Sequence, residues 1–270
     1  MAEFIGGSGR SALSDRIDRW FHLRDVILLL VARDFRGRYK HTRVGMAWSA
    51  ANPLMFLLIF YFLFTKVVDL GIPNYASYVY TGILVWAWTS AAWLQAVTSI
   101  SANPGLVNQP GFPVGAIPVV SVMTTLLNFA ISFPLLLALV FLNGAQLSPV
   151  LLLIPVIVAI QFIFTLSFAY LLAALNVGSR DAENILPIVL QLGYYLTPIF
   201  FDISRVPADF RLFFDFNPMV HIVDAYRAVL IAGQVPPFQP LLVIAIGSVL
   251  LLGISVHHFN RARYRFLEEL

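Results

Sequence analysis

Residues 150–177 read VLLLIPVIVAIQFIFTLSFAYLLAALNV, an apolar run without a single Asp, Glu, Lys or Arg. A helix needs about 20 predominantly apolar residues to cross the hydrocarbon of a bilayer, and this run exceeds that. Barrel strands alternate polar and apolar positions over about ten residues, and this run does not alternate. Five further runs share its character: residues 47–68, 78–100, 115–142, 185–201 and 238–259. The expected fold is an all-α integral membrane protein with six transmembrane helices over residues 47–259. Pro53, Pro118, Pro155 and Pro187 fall near the starts of runs, where a missing N–H is tolerated. Pro134 and Pro198 fall inside runs and are expected to kink or break them.

The composition of the 270 residues points the same way, with 59% hydrophobic and only 11% charged residues. Soluble domains carry about a quarter charged residues, so a water-soluble enzyme of ordinary composition is excluded. The absence of cysteine excludes disulfides, thiolate metal sites, iron–sulfur clusters and a cysteine nucleophile. A net charge of +3 is too small to suggest nucleic acid as a partner.

Orientation follows from where the 17 Lys and Arg stand. Six spans put both termini on one side. Thirteen cations fall there: nine in the first 46 residues, then Arg180, Arg261, Arg263 and Arg265. Lys66, Arg205, Arg211 and Arg227 fall on the other side. Positive charge is retained in the cytoplasm, so both termini are expected there, with a cytoplasmic tail over residues 260–270. The Gly/Ser-rich start lacks the apolar core of a cleaved signal, and residues 1–13 read as a retained, disordered tail.

Residues 14–33 change pattern. Ile17, Trp20, Phe21, Ile27, Leu28 and Val31 recur near helical spacing, while Asp15, Arg16, Asp18, Arg19, His22, Arg24 and Asp25 take the opposite face. With Ser14 as a candidate N-cap, this is an amphipathic helix for the cytoplasmic headgroup layer. A basic connector up to residue 46 joins it to the first span and suits anionic membrane lipids.

The connector is more particular than an anchor requires. Arg33-Asp34, Arg38-Tyr39, Gly45, Trp48 and Pro53 stand in an order that resembles the opening signature of ABC-2 type permeases exporting O-antigen, capsule or teichoic acid, with Val44 where that family usually has Leu. Gly178-Ser179-Arg180-Asp181 and Tyr195-Leu196-Thr197-Pro198-Ile199-Phe200-Phe201 are similar to its fifth span. Asn217-Pro218 with Tyr226-Arg227 is similar to the segment before its last span.

The resemblance implies one half of a homodimeric channel for a lipid-linked polysaccharide, O-antigen first, in the inner membrane. It implies ATP and Mg bound by a separate nucleotide-binding subunit and no cofactor on this chain. The only lysines, Lys40 and Lys66, lie outside any phosphate-cradling Gly-rich loop, so the chain carries no ATP site of that type. The uncharged stretch 101–113, with Asn103, Leu106, Val107, Phe112 and Pro113, has apolar residues expected to be exposed, and by resemblance is a coupling helix on the ATPase. Arg180 and Asp181 mark the cytoplasmic end of span 5. Between spans 5 and 6, two amphipathic pieces around Asn217-Pro218 read either as an outer loop or, by resemblance, as short re-entrant gate helices, with Pro198, Asn217, Pro218, Tyr226 and Arg227 at the gate.

Sugar rings present C–H faces to aromatic platforms, which makes Trp88, Trp93, Tyr194 and Tyr195 candidates for lining a conduit, against helix packing or lipid contact. Tyr75, Tyr78 and Tyr80 read as an interfacial belt. Spans 3 and 4 carry no ionisable acid or base, which argues against an ion-coupled pump. A permease for a small hydrophobic compound or lipid is the alternative. A membrane enzyme has only Asp202, Asp209, Asp215 and Asp224 near His221, or the adjacent His257 and His258, and no spacing marks these as ligands.

Overall fold

The computed structural model describes residues 12–39, 47–63, 71–144, 148–178 and 180–269, and all regular structure among them is helical. The helices are α1 (Ala12–Tyr39), α2 (Ala47–Phe62), α3 (Tyr75–Val97), α4 (Pro104–Val107), α5 (Ala116–Leu142), α6 (Ile154–Gly178), α7 (Asp181–Tyr195), α8 (Ala208–Asp215), α9 (Pro218–Leu230) and α10 (Phe238–Glu269). A 3-10 turn, Pro149–Leu153, leads into α6 and is capped by Ser148.

Helices α3, α5, α6, α7 and α10 run between two ends. At the distal end Tyr75 meets Phe200, and Asn143 donates to the Ser77 hydroxyl. At the proximal end Tyr170 donates to Gly115, and its ring meets Phe259. Helix α2 packs on α3 and α5, while α1 lies along α5. Ala92 and Ala96 of α3 meet Val122 of α5 and Ala169 of α6, all buried. Small residues let helices approach closely where lipid offers apolar side chains no advantage in burial.

Three segments are both long and apolar enough to cross a membrane: Ala116–Leu142, Pro149–Gly178 and Phe238–Ala262. Helix α3 has 23 residues but a more polar face. Helices α2 and α7 have 16 and 15 residues, about 24 and 22 Å at 1.5 Å per residue, short of the ~30 Å hydrocarbon thickness.

Several sequence-based boundaries are corrected. Helix α1 already includes Ala12, so Ser14 lies inside the helix and not at its N-cap position. Helix α10 continues to Glu269, so residues 260–269 extend the last helix; no Gly or Pro interrupts that stretch. Helix α7 occupies Asp181–Tyr195 and not 185–201. Asp181 and Glu183 favour its N-terminus through the helix dipole, and Pro198 disfavours helix for the residue before it. Pro187 therefore lies inside α7, and Pro134 lies inside an unbroken α5.

Positive-φ backbone marks both the entry to α3 and the exit from α5. Asn74 enters α3 at φ 53°, and Gly144 leaves α5 at φ 86°. Asn tolerates the left-handed region better than most residues and Gly adopts it freely.

Candidate functional site

The distal end is organised around five carbonyls. Beyond Tyr195 the chain leaves helical geometry, so most carbonyls of residues 196–201 lose the helical N–H donors they would otherwise have, which is costly away from water. Side chains from α3 and α9 take over. Asn217 donates to the Leu196 carbonyl and to the Thr197 hydroxyl, both at 3.3 Å. Arg227 donates to Pro198 at 2.8 Å and Ile199 at 3.0 Å. Tyr75 donates to Phe200 at 3.2 Å and Tyr78 to Phe201 at 3.0 Å.

Arg227 is the centre of this arrangement. Only 6% of it is exposed, yet its guanidinium also reaches the Tyr78 carbonyl at 3.3 Å and Asp224 at 3.3 Å. It lies 3.4 Å from the centre of the Tyr78 ring. A buried cation is tolerable when its donors are all used, and a planar fork is suited to several acceptors at once. Gly82 makes room for it: a Cβ there would stand 3.1 Å from Arg227 Nη2 and 3.0 Å from Ile199 Cγ2.

Asn217 also caps α9, accepting from Met219 N–H at 3.0 Å, with Pro218 at the first helical position. The turn between the amphipathic pieces thus lies where the sequence places it. Nearby, Asp202 accepts from Ser204 N–H at 2.8 Å; hydrogen bonding to Ser204 holds its carboxyl below the usual carboxylate range.

From Tyr226 a buried polar ladder descends between α9, α6 and α3. Tyr226 donates to Gln161 Oε1 at 2.9 Å, and Gln161 Nε2 donates to the Val85 carbonyl and to Thr89, each at 2.9 Å. Thr89 meets Thr165 at 3.3 Å, and the Trp93 indole donates to the Thr165 carbonyl at 3.0 Å. Gln161 is fully buried, so it is an interhelical bridge and not a wall residue.

The aromatics divide accordingly. Trp88 is 2% exposed and stacks on Phe129 of α5, and Trp93 packs on Phe164 and Phe168 of α6; Trp88, which was a candidate for lining, is a packing residue. Tyr194 is half-buried against Trp86 and Phe200. Tyr195, by contrast, is 59% exposed. It shares an exposed face of α7 with Ile185, Ile188, Gln191 and Leu192. Tyr75 and Tyr78, expected in an interfacial belt, are engaged with the 196–201 segment. Sequence reading also passed over Gly82 and Gly193. A Cβ on Gly193 would come within 2.7 Å of the Trp86 ring, which makes this glycine the point where α7 presses on α3.

At the proximal end the Arg33-Asp34 and Arg38 positions clasp α1 to the bundle. Arg33 pairs with Asp34 at 2.9 Å and donates to Asn103 at 3.4 Å, and Arg38 donates to Gln95 near the end of α3. Leu30 and Val31 bury against Val120 of α5. A polar cavity of about 160 Å³ lies between them, lined by Arg33, Asp34, Gln95, Ser99, Asn103 and Ser121. Gly45 lies outside the described residues, as do the side chains of Tyr39, Trp48 and Pro53.

Helix α4 forms in the uncharged stretch, but its apolar residues are not presented outward. Val107 is buried with Ile100, Val114 and Phe259, while Leu106 and Phe112 are half-buried against α1 and α5. Pro113 is half-buried too, and the exposed surface of the stretch consists of Ala102, Pro104, Gly105, Asn108, Gln109, Pro110 and Gly111. The correction has a simple cause, since a one-turn helix that starts and ends near the bundle can bury its apolar side against it. Arg180 and Asp181 are exposed where α7 begins, and Asn176 of α6 accepts from Glu183 N–H at 3.1 Å to close that corner.

A family model described as ABC-2 type transporter matches residues 25–231. An O-antigen export system permease protein, RfbA, of Myxococcus xanthus is 32% identical over 252 residues, covering 93% of this chain and 97% of the relative. A permease of the same name from Klebsiella pneumoniae is 31% identical, covering 92% and 96%. The polysialic acid transport protein KpsM of Escherichia coli is 25% identical, covering 89% and 92%.

Proposed function

Because the chain belongs to the ABC-2 type transporter family, we propose that it is the membrane permease subunit of an ABC exporter that moves a lipid-linked polysaccharide, O-antigen first, across the inner membrane. The observation that carries this reading is the near end-to-end similarity to O-antigen export permeases. ATP and Mg belong to a separate nucleotide-binding subunit, in keeping with the lack of a phosphate-cradling loop here.

In this reading α2, α3, α5, α6, α7 and α10 are the six spans, both termini are cytoplasmic, and the proximal end faces the cytoplasm. The short α2 and α7 suit the middle of a homodimer better than a lipid-exposed rim, because at about 24 and 22 Å neither matches the ~30 Å hydrocarbon that a rim helix faces, and each leaves its outer face uncovered. Met55, Leu58, Ile59 and Phe62 are exposed on α2, and Ile188, Leu192 and Tyr195 on α7. Two such faces from two copies form the conduit, with Tyr194 and Tyr195 offered to sugar rings as stacking surfaces.

The ATPase seats on the exposed polar edge of residues 104–111. Its closure displaces α4, which is packed against α1 and α5, and so moves the clasped interface helix. At the other end α8 and α9 re-enter the membrane from outside, and the 196–201 segment closes the conduit.

The test is deletion of the gene followed by complementation. Loss of surface polysaccharide with accumulation of its lipid-linked precursor, restored by the wild-type chain, is the expected result. Unchanged surface glycan overturns the reading.

A further inference from the structure

Beside the distal closure, between α6, α10 and the start of α9, lies a second cavity of about 520 Å³. It has no role in the function proposed above. One wall is α6, with Phe164 and Phe168; the other is α10, from Gln239 through Val243 and Gly247 to Leu251. The α8–α9 turn forms its mouth, with Asp215 and His221.

Its dimensions follow from the helix. Gln239 and Leu251 are twelve steps apart along the helix, about 18 Å at 1.5 Å per residue, close to the depth of one leaflet, about half of the ~30 Å hydrocarbon core. The ionisable groups sit at the distal mouth, while the walls below are aromatic and aliphatic apart from the buried hydroxyl of Ser248. Both walls belong to helices long and apolar enough to cross a bilayer, so the groove opens toward hydrocarbon. Gly247 leaves its floor open, since a Cβ there would meet nothing within 4 Å.

The charge at the mouth selects among lipids. No Lys or Arg pairs with the Asp215 carboxylate among the described residues. Arg211, one turn earlier, is committed to the carbonyls of Ser204 and Val206. His221 donates from Nε2 to the Asp215 backbone carbonyl at 2.8 Å, so that nitrogen is committed to the backbone and not to the carboxylate. A carboxylate at headgroup level repels an anionic lipid and attracts an ammonium group.

We propose that this groove holds one acyl chain of an ethanolamine phospholipid from the leaflet at the distal end, the outer leaflet in the orientation above, with its ammonium at Asp215. The lipid braces the start of α9 against α6 and α10 and so supports the closure from outside. The site does not depend on which polymer or compound the protein exports, and it is tested without any export assay.

The full-length protein is placed in nanodiscs of equal phosphatidylethanolamine and phosphatidylglycerol, released, and its retained lipids are counted by native mass spectrometry. One phosphatidylethanolamine per chain is expected on the wild type. Gly247→Phe fills the floor and lowers retention about ten-fold, because the acyl chain loses its packing contacts along the groove. Val243→Phe, at an exposed wall position, does the same if Gly247→Phe does not fold. Asp215→Asn lowers the preference over phosphatidylglycerol up to about five-fold, the size of an exposed charge contact. Absence of retained lipid, equal retention of the anionic lipid by the wild type, or full retention by the filled-groove variant overturns the proposal.

Discussion

Arg227 on α9 donates through Nη1 to the carbonyl of Pro198 at 2.8 Å, twenty-nine residues earlier, on the segment where α7 has lost its helix. This contact ties together two stretches that the sequence presents as separate motifs. It also explains why an arginine is buried in a chain with so few charged residues.

Arg227→Ala leaves the carbonyls of Pro198 and Ile199 without their donors, at about 2–4 kcal/mol for two buried acceptors. Arg227→Lys recovers little of this, because a single ammonium cannot reach acceptors spread across the fork. Thermal unfolding of the purified protein in detergent is expected to show both variants well below wild type. A lysine variant as stable as wild type contradicts the assignment.

Gly193→Ala forces α7 away from α3 or tilts the Trp86 ring, at about 1–3 kcal/mol of overpacking. Trp86→Leu in the same chain relieves the clash, so the double variant is expected to be more stable than the sum of the singles. A double-mutant cycle on unfolding temperature measures this coupling.

Gln161→Leu removes the bridge between Tyr226 and α3 and leaves the Tyr226 hydroxyl and the Val85 carbonyl buried without it. The expected loss is about 1–3 kcal/mol. Tyr226→Phe costs about 1 kcal/mol alone and almost nothing added to Gln161→Leu, since the same bond is already gone. Additive losses would show that the two residues do not act through each other.

Asp202 gives a pH signature. Its folded carboxyl is held below its ordinary value by Ser204, so the stabilisation is present above the unfolded pKa of about 3.9 and is lost as pH falls through the folded one. Asp202→Ala is therefore expected to unfold more easily than wild type near pH 7, with the gap closing below about pH 4. A gap of constant size across a pH series rules out the hydrogen-bonded carboxylate as its source.

The clasp at the proximal end is accessible to cross-linking because the chain has no native cysteine. Cysteines at positions 38 and 95, whose native side chains are hydrogen-bonded, are expected to join through a short bifunctional reagent. If α1 moves with the ATPase, the linked protein retains its fold and loses export, and reduction of a cleavable linker restores it. Full export in the linked state shows that this clasp stays closed throughout.

The helical bundle was largely legible in the sequence because hydrophobic length is a one-dimensional quantity. Runs such as 115–142 and 150–177 need no partner to declare themselves. The two amphipathic pieces around Asn217-Pro218 were legible too, since capping and periodicity are local. Where boundaries failed, as at Ser14, Tyr195 and Glu269, the competing signals were of about 1 kcal/mol or less per residue, and packing decides such cases.

What the sequence determined by itself is the class of solvent, the helical content and the family signatures, since each depends on composition or on residues close along the chain. The tertiary structure alone decided the rest: that Trp88 packs, that Gln161 bridges, that Val107 turns inward, and that Tyr75 and Tyr78 in the first turn of α3 serve the carbonyls of 196–201. Those outcomes depend on which donor lies beside which acceptor across spans separated by as many as 149 residues, as for Tyr78 and Arg227. No local pattern encodes that adjacency, and in a medium without water an unmet carbonyl makes the neighbour's identity matter more than its own.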